Sequence, residues 1–283
     1  MVKFHDLNIA RVKDAVAQKH TLRIACRLGY EVVAVTTVLK NGDELTAAPP
    51  PIELQLTKEE QQNFQQLSRI TVVLSDKTNN SYLGNDKIKS YDILAVQPTT
   101  EKSFQVACSE LNVDLITFDF STWLGFHLKH QYVQTALRLG KYFEFTYGPA
   151  IRDTTCRRYV FQNTTDFVQR KEGQNTIISS GAEWPTDLRA PYDVANLAIL
   201  FGMKEGQAKS SLTSTPRALL LKAATRRLTV KSSITIGHVT SIPEKDKWKI
   251  EGSKPPSTDA GKRQNTDDHD EPKKKKSKKL KSN

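Results

Sequence analysis

The stretch Asn175-Thr-Ile-Ile-Ser-Ser-Gly-Ala-Glu-Trp-Pro-Thr-Asp-Leu-Arg-Ala-Pro-Tyr-Asp-Val-Ala-Asn196 decides how the rest of the chain is read. Thr176, Ile177 and Ile178 form a short apolar, β-branched run, the pattern of a buried strand. Ser179, Ser180, Gly181 and Ala182 then leave backbone and hydroxyl groups accessible where the strand stops. A polar loop carries Arg189 into Ala190-Pro191-Tyr192-Asp193. Pro191 suits the first helical position, and Asp193 sits in the first turn, where a negative charge faces the positive helix end. A strand opening at its C-terminal end into a small-residue, charged loop before a helix is how α/β barrels build sites. An ordinary βα connection shares these features.

The same join recurs elsewhere. Ala25-Cys-Arg-Leu-Gly29 before Tyr30–Val35 resembles Ala136-Leu-Arg-Leu-Gly140 before Lys141–Phe145. Each reads as a helix stopped by glycine, then a strand. Cys108–Phe118, with Asn112 as the stop, and Lys171–Ile178, with Gly173, look alike. Four such junctions argue for repeated βα units and a parallel sheet. The pattern predicts seven strands, near Phe4–Leu7, Val32–Val38, Ile70–Ser75, Ile93–Gln97, Leu115–Phe120, Tyr142–Thr146 and Thr176–Ser180. Helices are predicted near Val12–Leu28, Lys58–Leu67, Ser103–Leu111, Gln131–Leu139, Thr154–Arg170, Pro191–Leu200, Glu205–Leu212 and Pro216–Arg226. An open doubly wound sheet gives the same local pattern; strand count and length favour an α/β barrel over 1–240. Lys40–Gln55, with three consecutive prolines from Pro49, reads as a long, mobile loop.

The chain has 283 residues, 37% of them hydrophobic, enough for a substantial core. No apolar run approaches the roughly 18 residues of a membrane span, and the start lacks a signal-peptide pattern. Cys26, Cys108 and Cys156 are far apart, which argues against a disulfide framework or zinc ribbon and for a reducing compartment. Net charge is +11. From Ser241 onward there are 13 Lys and Arg against 8 Asp and Glu, leaving 29 against 23 in the body. The body is thus basic in its own right, and a polyanion, nucleic acid first, is the expected partner. Residues 241–283 cannot bury enough apolar surface to order. Their cluster Lys273, Lys274, Lys275, Lys276, Lys278 and Lys279 reads as a nuclear-import signal or RNA tether, a solubilising tail being the plainer reading.

Metal chemistry needs several converging ligands. His5-Asp6 ends the first predicted strand, but no other histidine has the spacing to complete a site; His127 and His130 share at most a helical face. No nucleophile elbow is present. Asp6, Asp76 and Asp119 at strand ends could act as acids or bases, or simply cap helices. Phosphate binding is better supported. Lys102, Lys129, Arg152, Arg157, Arg158 and Arg189 follow predicted strand ends, and on one rim they would converge. Pairing with Glu101, Asp153 or Asp187 is the competing expectation.

These stretches also carry a resemblance. Leu28–Ala34, Ser68–Asp76, Tyr91–Val96 with Glu101-Lys102, Leu111–Leu115, Tyr147–Asp153, Arg157-Arg158-Tyr159, and Ile177–Ala182 through Arg189–Leu197 are similar to the barrel subunit (the thirty-kilodalton class) of eukaryotic ribonuclease P and ribonuclease MRP. The likeness runs from about Met1 to Arg227. It implies a TIM-like barrel related to the polymerase-and-histidinol-phosphatase superfamily, without that superfamily's metal centre. It implies a non-catalytic role in removing 5′ leaders from precursor tRNA and, through MRP, in ribosomal RNA processing, in the nucleus and nucleolus. The catalytic RNA and its magnesium would do the cleavage; this chain would carry no cofactor. Expected partners are that RNA, precursor tRNA indirectly, and other protein subunits, especially the small RNA-binding one that pairs with the barrel. Matching residues nominated as RNA or subunit contacts are Arg69, Lys102, Arg152, Arg157, Arg158 and Arg189, with Ser179 and Ser180 as backbone or hydroxyl contacts. Two competing functions are a free-standing metal-dependent phosphoesterase using His5 and Asp6, and a general RNA chaperone.

Overall fold

Seven strands follow one another in sequence and in space. In the computed structural model, which describes residues 3–76, 83–171, 174–230 and 234–235, the order in the sheet is β1 to β7 without a crossover, every pair parallel. Each connection is a right-sized βα unit or loop. β1 (Phe4–Ala10) leads through α1 (Ala15–Arg27) to β2 (Tyr30–Leu39), then α2 (Lys58–Asn63), β3 (Gln65–Leu74) and the short α3 (Asp86–Lys89). β4 (Ile93–Pro98), α4 (Glu101–Ser109), β5 (Leu115–Thr117), α5 (His130–Arg138) and β6 (Tyr142–Thr146) continue the alternation. Then come α6 (Gly148–Arg152), α7 (Thr154–Lys171), β7 (Thr176–Ser179), α8 (Pro191–Leu200), α9 (Glu205–Ser210) and α10 (Ser214–Leu228), with a small ribbon of β8 (Thr229–Val230) and β9 (Ile234–Thr235). The barrel belongs to the unit Met1–Ile236. The tail expected over 241–283, with its lysine cluster, lies outside the described residues.

All seven expected strands are present, and the sheet curls until its ends meet. Gly181 N–H donates to Asn8 O at 2.8 Å, Ala10 N–H to Ala182 O at 2.9 Å, and Ile9 bridges Ala182 in parallel. An open doubly wound sheet is therefore excluded; the fold is a TIM-like barrel. Gly148 shows how tightly the rim is built: a Cβ there would stand 2.5 Å from Ser180 O, so only glycine lets α6 start against β7.

Three expected boundaries moved. The helix predicted over Lys58–Leu67 stops at Asn63, because Phe64 is extended and Gln65–Leu67 pair with Val32–Ala34. The loop read as mobile is fastened to that strand: Gln66 accepts from Ile52 N–H and donates to Ile52 O, while Ile52 and Leu54 pack on the Tyr30–Val35 cluster. Asn112 is not a left-handed stop; α4 ends at Ser109 with Glu110 in a right-handed conformation. Gly29 and Gly140 do take positive φ, whereas Gly173 lies outside the described residues and Asn175 (φ 48°) is left-handed instead.

Burial on both faces explains the near-continuous apolar strands. Between sheet and helices, Phe118, Phe120 and Phe145 stack at 5.1–5.2 Å, and Phe167 of α7 meets Phe143 and Phe145 at 5.2 and 5.0 Å. The N-terminal end of the barrel is filled by Leu7, Ala34, Ile93, Ala95, Leu115 and Ile177, closed by Leu219 of α10. Ion pairs hold α10 there: Arg226 meets buried Asp114 at 2.9 Å, and Arg227 meets Asp92. Truncating Phe143→Ala removes a fully buried ring from the stack, and urea unfolding should show a loss of about 3–5 kcal/mol. A loss below 1 kcal/mol would mean the aromatic layer is dispensable.

Candidate functional site

Above the apolar layer the barrel interior turns polar around one pair. Arg69 on β3 and Glu144 on β6, both with side chains 0% exposed, face each other in a fork-to-fork contact. Nη1 meets Oε1 and Nη2 meets Oε2, each at 2.6 Å. The remaining capacity is used. Arg69 donates to Leu7 O and, through Nε, to Thr71 Oγ1 at 3.1 Å; Glu144 accepts from Ser179 Oγ at 2.7 Å and Asn8 Nδ2 at 3.1 Å. Four strands thus converge on one buried bidentate pair, the geometry in which such a contact is strong. Toward the C-terminal strand ends lies a cavity of about 300 Å³, walled by Asn8, Thr36, Thr71, Gln97, Thr117 and Thr146, with Arg152, Asp119 and Glu183 also on its wall.

His5 and Asp6 do not make a metal pair. His5 Nδ1 lies 3.2 Å from Leu212 O, and burial holds its pKa below the ordinary histidine value. Asp6 Oδ1 accepts the backbone N–H groups of Asn8 and Ser180, at 3.2 and 3.1 Å, clamping β1 to the end of β7. Its Oδ2 is buried without a partner, and burial pushes the carboxyl up to about 6. Among the described residues no three His, Cys, Asp or Glu side chains converge. His5 and Asp6, the residues a phosphoesterase centre would use, are thus engaged by the backbone of Leu212, Asn8 and Ser180. The other strand-end carboxylates have partners too: Asp76 accepts from Oγ1 of Thr100, the N-cap of α4, at 2.6 Å, and Asp119 accepts from Ser121 N–H in its own turn.

The nominated residues fall into two groups. Arg69, Ser179 and Ser180 are interior, at 1% exposure or less. Within the barrel Arg69 and Ser179 serve Glu144, and Ser180 Oγ donates to Asn8 O at 3.3 Å across the seam. Lys102, Arg152, Arg157, Arg158 and Arg189 are exposed and follow the C-terminal ends of β4, β6 and β7, so one rim carries them. Arg152 is pinned by Asp187 at 3.0 Å and Glu183 at 3.4 Å. Arg189 folds back on its own loop, donating to Thr186 O and Leu188 O. Lys129 pairs with Glu101 at 2.5 Å. Arg157 Nε donates to Ala150 O and keeps its other donors outward. Lys102 and Arg158 pair with no described residue. Of the nominated cations, Lys102, Arg157 and Arg158 are the ones in no ion pair with a described residue.

Sequence reasoning missed Glu144, Asn8 and Thr71. The signal was a lone acid inside the apolar run Tyr142–Thr146, where a buried carboxylate requires a cation; Arg69 inside Leu67–Leu74 is its counterpart.

Known proteins show the same chain plan. The family model described as RNase P subunit p30 matches residues 3–228. Mouse ribonuclease P protein subunit p30 is 36% identical over 236 residues, 80% of this chain and 88% of that protein. The ribonuclease P/MRP protein subunit RPP1 of Saccharomyces cerevisiae is 24% identical over 251 residues, 82% of this chain and 84% of that protein. A chain of archaeal ribonuclease P, solved by cryo-EM with mature tRNA, matches with TM-score 0.59 at 14% identity, covering 82% of this chain and 98% of that one. At that identity the likeness is one of fold.

Two variants test the interior. Arg69→Met strands Glu144 as a buried charge and should cost about 3–5 kcal/mol in denaturant unfolding. Adding Glu144→Leu should recover most of it; an additive further loss would contradict the pairing. For Asp6, the folded pKa of about 6 lies above the ordinary 3.8. The protonated form therefore favours folding, and its contribution is complete below 3.8 and lost as pH rises through 6. Asp6→Asn keeps an acceptor without the charge. It should stabilise the fold at pH 7.5 by at most about 3 kcal/mol, seen in denaturant unfolding, with the gain vanishing near pH 4.

Proposed function

Because the chain belongs to the RNase P subunit p30 family, we propose that it is the barrel subunit of ribonuclease P and of ribonuclease MRP. In that role it supports removal of 5′ leaders from precursor tRNA and processing of ribosomal RNA. The observation that carries a scaffolding rather than a bond-breaking role is the Arg69–Glu144 pair. Below the C-terminal strand ends the barrel interior holds a closed ion pair, already engaged by Asn8, Ser179, Thr71 and Leu7. Neither member of that pair is left poised for acid, base or nucleophilic work. In this reading cleavage belongs to the partner RNA and its magnesium.

The rim supplies the partner chemistry. Lys102 and Arg158 form no ion pair with a described acid, and Arg157, although near Asp153, is exposed beside them. RNA phosphates would take charge-assisted bonds from them and release counterions, so association weakens as salt rises. A small RNA-binding protein subunit seated on the barrel is the second expected partner. The basic cluster Lys273–Lys276, Lys278 and Lys279 suits import into the nucleus and nucleolus, where such particles would assemble.

Sequencing the RNA that co-purifies with the tagged full chain tests this directly. The RNA components of both particles should dominate. Their recovery should fall at least tenfold for Lys102→Glu/Arg157→Glu/Arg158→Glu, with thermal unfolding unchanged. Recovery of unselected cellular RNA would favour the chaperone reading, and undiminished recovery by the triple variant would remove the rim from the interface.

A further inference from the structure

Between β5 and α5 the chain runs irregularly from Phe118 to Lys129, and its side chains alternate. Leu124, Phe126 and Leu128 turn inward and pack on the main core; Phe126 lies 5.9 Å from the Phe104 ring. Trp123, His127 and Lys129 turn outward and are exposed. The segment bends at Gly125, which takes a positive φ of 72°. Trp123 is 74% exposed, an unusual place for the largest apolar side chain, which proteins generally bury in good part.

The segment under it is held at both ends. Asn163 of α7 donates to Thr122 O at 3.2 Å, while Lys129 pairs with Glu101 of α4 and lies 6.0 Å from the Tyr132 ring. The ring is thus displayed on a fixed base between the two helices that carry the rim cations, Lys102 on α4 and Arg157 and Arg158 on α7. Among the described residues the other exposed large apolar side chains, Trp184 among them, are on other segments. A protein interface core would surround such an aromatic with further apolar side chains. An exposed indole on a segment packed against α4 and α7, the helices that carry these cations, matches the other kind of partner: every unpaired base has a face that stacks, and every nucleotide brings a phosphate.

We propose that Trp123 is a stacking platform for an unpaired nucleobase of RNA, with Lys102, Arg157 and Arg158 receiving the flanking phosphates. This deepens the function proposed above and rests on its RNA-binding rim. Stacking selects single-stranded over duplex RNA, because paired bases have no free face.

The test uses the full chain and two probes, a twelve-nucleotide mixed-sequence single strand and a duplex of equal length, with Kd read by fluorescence anisotropy over a salt series. Trp123→Ala should weaken single-strand binding about five- to a hundredfold, leave duplex binding within twofold, and keep the salt slope. Trp123→Phe should recover most of the loss. The rim triple variant should weaken both probes and flatten the slope. Unchanged single-strand affinity for Trp123→Ala, with the triple variant defective, overturns the platform and leaves the rim standing. If the triple variant is also unimpaired, the rim fails too. Equal losses on both probes, or loss of another subunit in place of RNA, would make Trp123 a structural or protein contact and overturn the proposal.

Discussion

The bidentate contact between Arg69 and Glu144 is the constraint around which the barrel is arranged. Inside a closed sheet neither ion can be solvated, so each would be prohibitively costly alone. Together, with Leu7 O, Thr71, Ser179 and Asn8 filling the remaining positions, they form a satisfied polar layer. That layer fixes the register of four strands at one height. Apolar packing alone tolerates sliding; a fork that must meet a fork does not.

This polar layer also determines what the C-terminal end can do. A barrel enzyme keeps unsatisfied donors, acceptors or ligands at its strand ends, held ready for substrate. Here the charged groups have been turned on one another, and Asp6 is turned onto the backbone of Ser180. The chemistry that remains available is at the periphery. Exposed rim cations act at range on a polyanion, and their effect is set by solvent and salt more than by exact placement.

Much of this was legible in the residues. The apolar β-branched runs gave all seven strands, and Gly29 and Gly140 marked real helix ends, because both signals depend on local geometry. Pro191 likewise opened α8 at the expected residue. The failures were tertiary. Gln65–Leu67 continues a helical pattern, but β2 offers it a full ladder of hydrogen bonds. Arg69 reads like any other basic residue near a strand; its burial is decided by Glu144, which lies 75 positions away. Ser179 and Ser180 looked accessible because they are small and polar, whereas barrel closure buries them. The cations were correctly located near strand ends, yet only the fold shows that Arg152 is neutralised by Asp187 and Arg158 is not.

The seam between β1 and β7 has a consequence for biogenesis. It joins the earliest strand to the latest, so a ribosome must release the chain beyond Ala182 before the circle can shut. Until then two parallel edges are open, each able to recruit a foreign strand, and the contacts that close the sheet are among the most distant in the chain, hence slow to form. Leu219 arrives later still to stopper the base. Translation that stalls between those points would leave an adhesive half-cylinder, a substrate for chaperones in place of a building block for assembly.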